Sequence, residues 1–355
     1  MSFGPSHYVP VLKVKRGEKK ALTQISPTLR RHVTPLLEIV ERKEDKAPTV
    51  QNHLDTAFAK LAESVAPYSR CFLDAREIEP DGPPPAAAVF ERASAEEITF
   101  TPVTGISRSS DLVPALQHRT HGLALRLTRE EFEAGNLAHR LTAFIGEHGL
   151  NREETDLIVD LGAVDDLITP GVRALADAFL STVPDPSAWR TLTVSACAFP
   201  LSMGGVDRHS HDLVERADWL AWRDGLHPRR NDLPRLPTFS DCAIQHPAGV
   251  EGFDPRYMSV SASIRYTLEQ AWLLIKGESS RRTGTSIQFP RLATQLVYGH
   301  LRNYFAGENH CAGCASIKAA ADGAPRLGSP EVWRRLGTIH PITRIAQDLS
   351  GLPEP

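Results

Sequence analysis

Near its start the chain reads Tyr8-Val9-Pro10-Val11-Leu12-Lys13-Val14-Lys15-Arg16-Gly17-Glu18, an apolar run that ends in two lysines and a glycine. A run that is apolar on both faces is typical of a strand buried in a parallel sheet. Side chains two positions apart on a strand point to the same face, so Lys13 and Lys15 share one side of its carboxyl end. The segment therefore predicts the first strand of a helix-covered parallel sheet, with charge where the strand ends.

Similar short runs, rich in leucine and β-branched residues, recur down the chain and alternate with segments of helical spacing. They occupy residues 34–40, 71–74, 98–103, 122–127, 156–161, 191–195 and 238–243. Residues 209–222 have the pattern of a crossover helix before the last of these strands. With the first strand, these units predict an α/β fold, a (β/α)8 barrel of the TIM type formed by residues 1–245.

The remainder of the chain, residues 246–355, breaks this alternation. Its parts in order are a β-hairpin at residues 261–267 and 271–276, a helix at 286–303, a turn-rich stretch at 307–328 and a last helix that begins after Ser329. Ser329 is a favourable N-cap, and Pro330 is well tolerated at the first helical position. These features predict a β-hairpin and a helical extension packed on the barrel.

Composition and charge narrow the classes of function. Hydrophobic residues make up 41% of the chain and charged residues 23%, which is ordinary for a globular protein with a sizeable core. A formal net charge of -3 provides no global basic field of the kind that supports nonspecific nucleic-acid binding. The apolar runs fall short of the roughly 18 residues that a membrane span needs. Because residues 1–5 lack a secretory pattern and the cysteines are few and odd in number, we expect a cytoplasmic protein that contacts no membrane.

Several short motifs resemble the phage beta-protein family. They are the opening Tyr8-x-Pro10-x-Leu12-Lys13-x-Lys15-x-Gly17-Glu18, then Pro35-Leu36-Leu37-Glu38, Ile264-Arg265-Tyr266-Thr267 with Trp272 and Lys276-Gly277, and the region 311–340. The resemblance runs nearly end to end. It implies a barrel-type fold and a prokaryotic or phage setting near mobile or defence genes, and with it a protein partner from such a system. It implies no particular reaction.

In a parallel barrel the functional groups gather where the strands end. Charged residues at or just after the predicted strand ends are Lys13, Lys15, Glu38, Asp74, Arg76, Arg126, Asp160 and Asp241. We interpret Glu38, Asp74 and Asp160 as candidate catalytic acids or bases. We interpret Lys13, Lys15, Arg76, Arg126 and Asp241, with Arg265 and Lys276 from the hairpin, as candidate substrate-binding residues. The opening of the barrel at these strand ends, which we call the mouth, would suit a phosphate-bearing substrate, either a nucleotide or a nucleic acid.

Two other interpretations of the same charges stay open. The three acids could hold a divalent cation, although no H-x-H, H-E-x-x-H or D-x-D sequence accompanies them, and we predict no metal ligand among them. Alternatively, the acids and bases could neutralise one another in a salt-bridge network, because a charge buried alone is costly. The sequence alone does not decide between these arrangements.

Three hypotheses for function follow. The first is an enzyme, a phosphoester-directed hydrolase or lyase whose cofactor is unknown. The second is a non-catalytic binding or scaffold module of a phage or defence complex. The third is a nucleic-acid binder that uses the hairpin, where basic residues interleave with aromatic ones. The residues concerned are Arg265, Lys276, Arg281, Arg282, Arg291, Tyr266, Trp272 and Phe289.

A C-x-x-C pair, Cys311 and Cys314, raises the question of a zinc or redox site. A structural zinc ion needs four ligands, usually from two such pairs, and here His300 or His340 would have to complete the set through the fold. Two small buried thiols in a tight connection are the favoured interpretation. His340, directly before Pro341, could also reach the mouth as an acid or base, since its intrinsic pKa suits neutral pH, but a structural histidine with satisfied hydrogen bonds is the favoured interpretation.

Overall fold

The computed structural model describes residues 2–43, 46–47, 49–78, 85–249, 261–279 and 282–353. Its strands are β1 (Tyr8–Lys13), β2 (Leu36–Glu38), β3 (Cys71–Asp74), β4 (Phe100–Thr104), β5 (Leu123–Leu127), β6 (Thr155–Ala163), β7 (Thr191–Cys197), β8 (Ser210–Glu215), β9 (Thr238–Asp241), β10 (Ser261–Thr267) and β11 (Ala271–Ser279). Strands β1 to β7 and β9 form a closed parallel barrel in chain order, in which β9 pairs with β1. The (β/α)8 fold predicted from the sequence is thereby confirmed.

The helices of the chain surround the barrel and build the extension. They are α1 (Arg16–Thr23), α2 (Pro27–Arg30), α3 (Val50–Phe58), α4 (Leu61–Val65), α5 (Pro85–Ala95), α6 (Ser109–Gln117), α7 (Arg129–Glu133), α8 (Leu137–Glu147), α9 (Thr169–Ser181), α10 (Ala217–Leu220), α11 (Thr285–Val297), α12 (Ala312–Ala321) and α13 (Pro330–Ser350). Within the described residues, no helix combines the length and the apolar character needed to cross a bilayer.

Strand β8 does not belong to the barrel. It pairs antiparallel with β11, which in turn pairs with β10, so the extension contains a three-stranded sheet in the order β10-β11-β8. The crossover helix predicted at residues 209–222 is therefore wrong over its first half, and the chain becomes helical only at α10, which continues as a π-helical segment, Ala221–Leu226. The pairing partner of β8 lies about sixty residues later in the chain, and local spacing carries no information about such a partner. The division of the chain at residue 245 stays a prediction.

Helix α13 joins the extension to the barrel. Ser329 caps its N-terminus as predicted, since the Ser329 hydroxyl accepts a hydrogen bond from the Val332 amide at 3.3 Å. Trp333 and Leu336 on this helix are buried, and the helix packs against α1, β1, α12 and β10. The stretch predicted as turn-rich, residues 307–328, contains α12, a helix that small residues make weakly amphipathic.

The register of the barrel determines which charges meet. Lys13 lies opposite Glu38 on the neighbouring strand, and Glu38 lies opposite Asp74 on the next one. Register partners in a parallel sheet present their side chains to the same face. Three charged side chains from β1, β2 and β3 are thus delivered side by side to the interior of the barrel at its carboxyl end.

Candidate functional site

Arg126 lies at the centre of the barrel mouth. Its Nη1 donates to Glu38 Oε1 at 2.7 Å and to Asp74 Oδ2 at 3.0 Å. Its Nη2 lies 2.8 Å from Asp160 Oδ2, and its Nε donates to the same oxygen at 2.9 Å. The Arg126 side chain is only 3% exposed, so a single guanidinium from β5 connects carboxylates of β2, β3 and β6 in the interior.

A second set of charges surrounds this centre. Lys13 Nζ lies 2.9 Å from Glu38 Oε2 and also contacts Glu77. Arg108 Nη2 donates to Asp74 Oδ1 at 2.7 Å. With Arg76, which lies 3.4 Å from an Asp160 oxygen, and Asp111, which pairs with Arg108, these groups complete what we call the mouth network. It comprises Lys13, Glu38, Asp74, Arg76, Glu77, Arg108, Asp111, Arg126 and Asp160.

Electrostatics keep the central acids ionised. Burial alone would raise the pKa of Glu38, but Arg126 and Lys13 outweigh it and lower the pKa to about 2. Burial of Asp74 is likewise outweighed by Arg108 and Arg126, which hold its pKa well below the usual range. A carboxyl group with so low a pKa has no proton to donate near neutral pH and is a weak base. Glu38 and Asp74 are therefore suited to orienting cations.

The centre of the mouth network is arranged for a guanidinium. A divalent cation would need the oxygens of Glu38, Asp74 and Asp160 to converge on one point. In the structure these oxygens converge on Arg126, whose planar fork of N–H groups matches carboxylates. Of the two arrangements left open by the sequence, the paired network describes this geometry.

Lys15 and Arg334 stand at the rim of the mouth without a carboxylate partner among the described residues. Lys15 is exposed and Arg334 is half-buried. Partial burial and the nearby Arg334 both lower the pKa of Lys15, and Lys13 and Lys43 act in the same direction. Glu18 acts in the opposite direction and does not outweigh them. The rim therefore adds two cations above an interior whose charges are already paired with one another.

Asp241, predicted to line the mouth, lies on the other side of the barrel wall. Ser240 shares a register row with Asp160 through β7, so Ser240 faces the interior. Side chains alternate along a strand, and Asp241 must then face outward. Its carboxylate contacts the Tyr8 hydroxyl and accepts from the Ala243 amide at 2.8 Å. The alternation, had it been applied at this strand end, would have excluded Asp241 from the site.

Arg265 and Lys276 also lie outside the mouth network. Arg265 is buried and donates from Nη1 to the backbone carbonyl of Ile244 at 2.7 Å. Lys276 donates from Nζ to the carbonyl oxygens of Met203 at 2.8 Å and Val206 at 2.6 Å. Both cations thus hold loops after β7 and β9 in place. Sequence spacing could not reveal this, because backbone carbonyls of distant loops leave no trace in composition.

The hairpin does not present an aromatic surface. Tyr266, Trp272 and Phe289 are each at most 2% exposed. Stacking of nucleic-acid bases requires an accessible ring face, so these three rings cannot serve in that way. Of the basic residues counted with them, Arg282 pairs with Glu278, and position 281 lies outside the described residues. The hypothesis of a strand bound across the hairpin loses its structural basis.

His340 does not take part in the mouth network. Its Nε2 lies 2.8 Å from the carbonyl oxygen of Thr267, and its ring stacks on Tyr266 with centroids 4.0 Å apart. Its Nδ1 faces the sulfurs of Cys311 and Cys314. His340 is therefore a buried structural histidine and not an acid or base at the mouth, and both thiols lie beside its ring.

Sequence reasoning missed Glu77, Arg108 and Asp111. All three lie in or after strand-to-helix loops rather than at strand ends, so a search restricted to strand ends passes over them. Arg108 and Asp111 are three residues apart at the start of α6, a spacing that allows side chains of opposite charge to meet. This spacing was the signal in the sequence that could have revealed the Arg108–Asp111 ion pair.

Asp241 and Asp218 form a buried pair of acids. Burial and the neighbouring Asp241 raise the pKa of Asp218 to about 7. The native state therefore binds a proton more tightly than the unfolded chain, and the stability this contributes is lost as the pH rises from about 4 to about 7. We expect Asp218→Asn to gain stability relative to wild type over this range, by about 4 kcal/mol.

Urea unfolding of wild type and Asp218→Asn at several pH values measures this difference. Asp224→Asn is the matched control, since the Asp224 side chain is 54% exposed, and its difference from wild type should not vary with pH. A carboxyl carbon of Asp218 that titrates below pH 5 by NMR would contradict the prediction.

Comparison with protein families matches residues 8–347 to the family described as Beta protein. The match covers nearly the whole chain and confirms the resemblance found in the sequence. No curated protein matches the chain.

Proposed function

The chain belongs to the Beta protein family, a membership that specifies no reaction, and we propose that it is a binding module whose barrel mouth holds a phosphate-bearing ligand, a nucleotide or a nucleic acid. The observation that carries this proposal is the pair of rim cations, Lys15 and Arg334, which lack a carboxylate partner among the described residues. They lie above an interior in which acids and bases already neutralise one another.

Several features of the rim support an anionic ligand. Lys15 is the N-cap residue of α1, so the rim includes the start of that helix. The first amides of a helix favour a negative charge, and the flanking cations add to that field. Arg76, whose side chain is 30% exposed, is oriented by Asp160 toward the same opening. A phosphate group is the ligand whose charge and hydrogen-bond acceptors match such a rim.

The state of the acids favours binding over turnover. Glu38 and Asp74 have lowered pKa values and each accepts from at least one cation, so neither is poised to move a proton. In this interpretation the acids fix the orientation of the cations. A partner protein from a phage or defence system, implied by the family resemblance, fits a module of this kind and stays a prediction.

Binding of ATP and of a 5′-phosphorylated oligonucleotide, measured by calorimetry at two salt concentrations, tests the proposal. We expect salt-dependent binding by wild type. Lys15→Ala with Arg334→Ala should weaken it by roughly 100-fold or more, because charge-assisted hydrogen bonds contribute about 1.5–3 kcal/mol each. Arg302→Ala, an exposed arginine beyond α11, is the matched control and should bind like wild type.

Two outcomes would overturn the proposal. Wild type that binds neither ligand at low salt would remove the anion site. Release of phosphate or cleavage of the oligonucleotide that stops in Asp160→Asn would replace the binding module with the phosphoester-directed enzyme.

A further inference from the structure

We propose that His310, Cys311, Cys314 and His340 bind a structural zinc ion that fastens α12 to α13 and to the end of β10. We call these residues the thiol–histidine cluster. The ligand atoms of His310, Cys311 and His340 lie within 4.8 Å of one another. Cys314 adds a second sulfur, 3.3 Å from His340 Nδ1. Two thiols and two imidazoles form a Cys2His2 set, one of the common donor sets of structural zinc.

The spacing of the ligand atoms matches a tetrahedral site. Zinc bonds of about 2.3 Å to sulfur and about 2.0–2.1 Å to nitrogen place neighbouring ligand atoms roughly 3.5 Å apart. In the structure Cys311 Sγ lies 3.8 Å and Cys314 Sγ 3.3 Å from His340 Nδ1. These two separations lie on either side of that tetrahedral edge.

His340 is oriented as a ligand. Its Nε2 lies 2.8 Å from the Thr267 carbonyl, which can only accept, so Nε2 carries the proton. The lone pair is then on Nδ1, the atom that faces both sulfurs. A second ring nitrogen that donates to a backbone carbonyl is the usual outer contact of a metal-bound histidine. Stacking on Tyr266 fixes the plane of the ring.

His310 provides an independent indication. Its Nε2 is buried and has no hydrogen-bond partner among the described residues. The His310 ring lies edge to face with His340, with centroids 5.0 Å apart. A buried polar atom without a partner is rare in native proteins and calls for an explanation such as an ion. A zinc ion between the two rings and the sulfurs would satisfy it.

The cysteines are held in place by the helix start and by close packing. Cys311 is the N-cap of α12, and its Sγ accepts from the Cys314 amide at 3.3 Å. Gly313 between them allows α12 to approach α13, because a Cβ there would lie 2.7 Å from the Leu336 carbonyl oxygen. Four protein ligands leave no open coordination position, and such closed sites stabilise folds rather than catalyse reactions.

A redox dithiol is the other use of a C-x-x-C pair at a helix start. A dithiol needs only the two sulfurs and a thiol-exchange partner. It does not account for the two histidines whose ligand atoms lie within 4.8 Å of each other and of Cys311 Sγ, nor for the buried Nε2 of His310, which has no hydrogen-bond partner among the described residues. The four-ligand set therefore favours zinc.

Metal analysis of the full-length chain, expressed with added zinc and then desalted, tests the proposal. We expect about one zinc ion per chain. Exchange of zinc for Co²⁺ should produce the intense absorption of tetrahedral cobalt and the charge-transfer bands of cobalt–thiolate bonds. Cys311→Ser and His310→Ala should each abolish the thiolate-rich tetrahedral spectrum or reduce metal content to near zero. Cys242→Ala, a buried cysteine outside the cluster, is the matched control and should keep both.

Because His310 and Cys311 are only half-buried, these two variants are expected to fold, and circular dichroism checks this. Wild type that binds neither zinc nor cobalt stoichiometrically would overturn the proposal. A Cys311–Cys314 disulfide would also overturn it, if mass spectrometry finds that disulfide in metal-free wild type purified without reductant and the disulfide reforms in the presence of excess zinc.

Discussion

Replacing Arg126 with methionine is expected to lower the free energy of unfolding at pH 8 by at least about 3–5 kcal/mol, the typical cost of removing one partner from a buried ion pair. The guanidinium contacts Glu38, Asp74 and Asp160, so one substitution leaves three buried carboxylates without their shared cation. Methionine occupies a similar length without charge and adapts to irregular space, so the loss reports electrostatics rather than a cavity. Urea unfolding followed by circular dichroism measures it.

The pH dependence of stability that Glu38 and Asp74 provide should weaken in Arg126→Met. In wild type the pKa values of Glu38 and Asp74 lie below their usual range, so their contribution is complete above about pH 5 and is lost as the pH falls through the lowered values. Without Arg126, the pKa values of Glu38 and Asp74 should rise, although Lys13 still faces Glu38 and Arg108 still faces Asp74. The difference in stability between wild type and Arg126→Met should therefore shrink as the pH falls below about 5.

A double variant separates this electrostatic effect from general damage. Asp160→Asn removes one of the carboxylates that Arg126 neutralises, so adding it to Arg126→Met should recover part of the lost stability. Arg92→Met is the matched control, because Arg92 pairs with Asp55 and Glu96 near the surface, where ion pairs contribute little to stability. If Arg126→Met is as stable as wild type at pH 8, the mouth network does not stabilise the fold.

The convergence of charge at the mouth could be predicted because it depends on local rules. Lys13, Glu38, Asp74, Arg126 and Asp160 all lie at ends of runs whose strand character is visible in the sequence. Once the runs form a parallel barrel, their carboxyl ends meet. Which acid contacts which base depends on barrel register and on side-chain length. Neither is a property of a local segment, so the pairing of acids and bases within the mouth network could not be predicted from the sequence.

Other features failed for the same physical reason. Strand β8 forms because β11 offers it backbone partners, and a helix-like spacing does not prevent that pairing. His340 meets Cys311 because α12 packs on α13 through Gly313, a contact between two helices whose relative register is invisible in either one. Local patterns thus identify elements, and long-range packing decides which side chains of those elements share a site.

The two ends of the barrel use buried ion pairs for different purposes. At the carboxyl end the mouth network leaves rim cations without a carboxylate partner in the described part of the chain, which is what a binding surface requires. At the amino end Asp156 accepts from Arg70 at 2.7 Å, from Arg190 at 2.6 Å and from the Thr191 hydroxyl at 2.7 Å. The amino end of such barrels generally serves stability.

Asp156→Asn should accordingly destabilise the fold and leave ligand binding at the mouth unchanged. The Asp156 side chain is 0% exposed and faces two guanidiniums, so removing its charge leaves Arg70 and Arg190 side by side without a counterion. We expect a loss of about 3–5 kcal/mol in the free energy of unfolding at pH 7.

The contribution of Asp156 has a defined pH window and a surface counterpart. Burial would raise its pKa, but Arg190 and Arg70 outweigh burial and lower it, so the stability it provides is lost as the pH falls below about 4. The difference between wild type and Asp156→Asn should shrink in that acidic range.

Asp55→Ala breaks an ion pair whose acid is 52% exposed and should cost no more than about 1 kcal/mol. An equal, small loss in both variants would mean that the amino end is held by packing alone. A large loss in Asp156→Asn, with the affinity of the folded variant for a phosphate-bearing ligand unaltered, would assign stability and binding to opposite ends of the barrel.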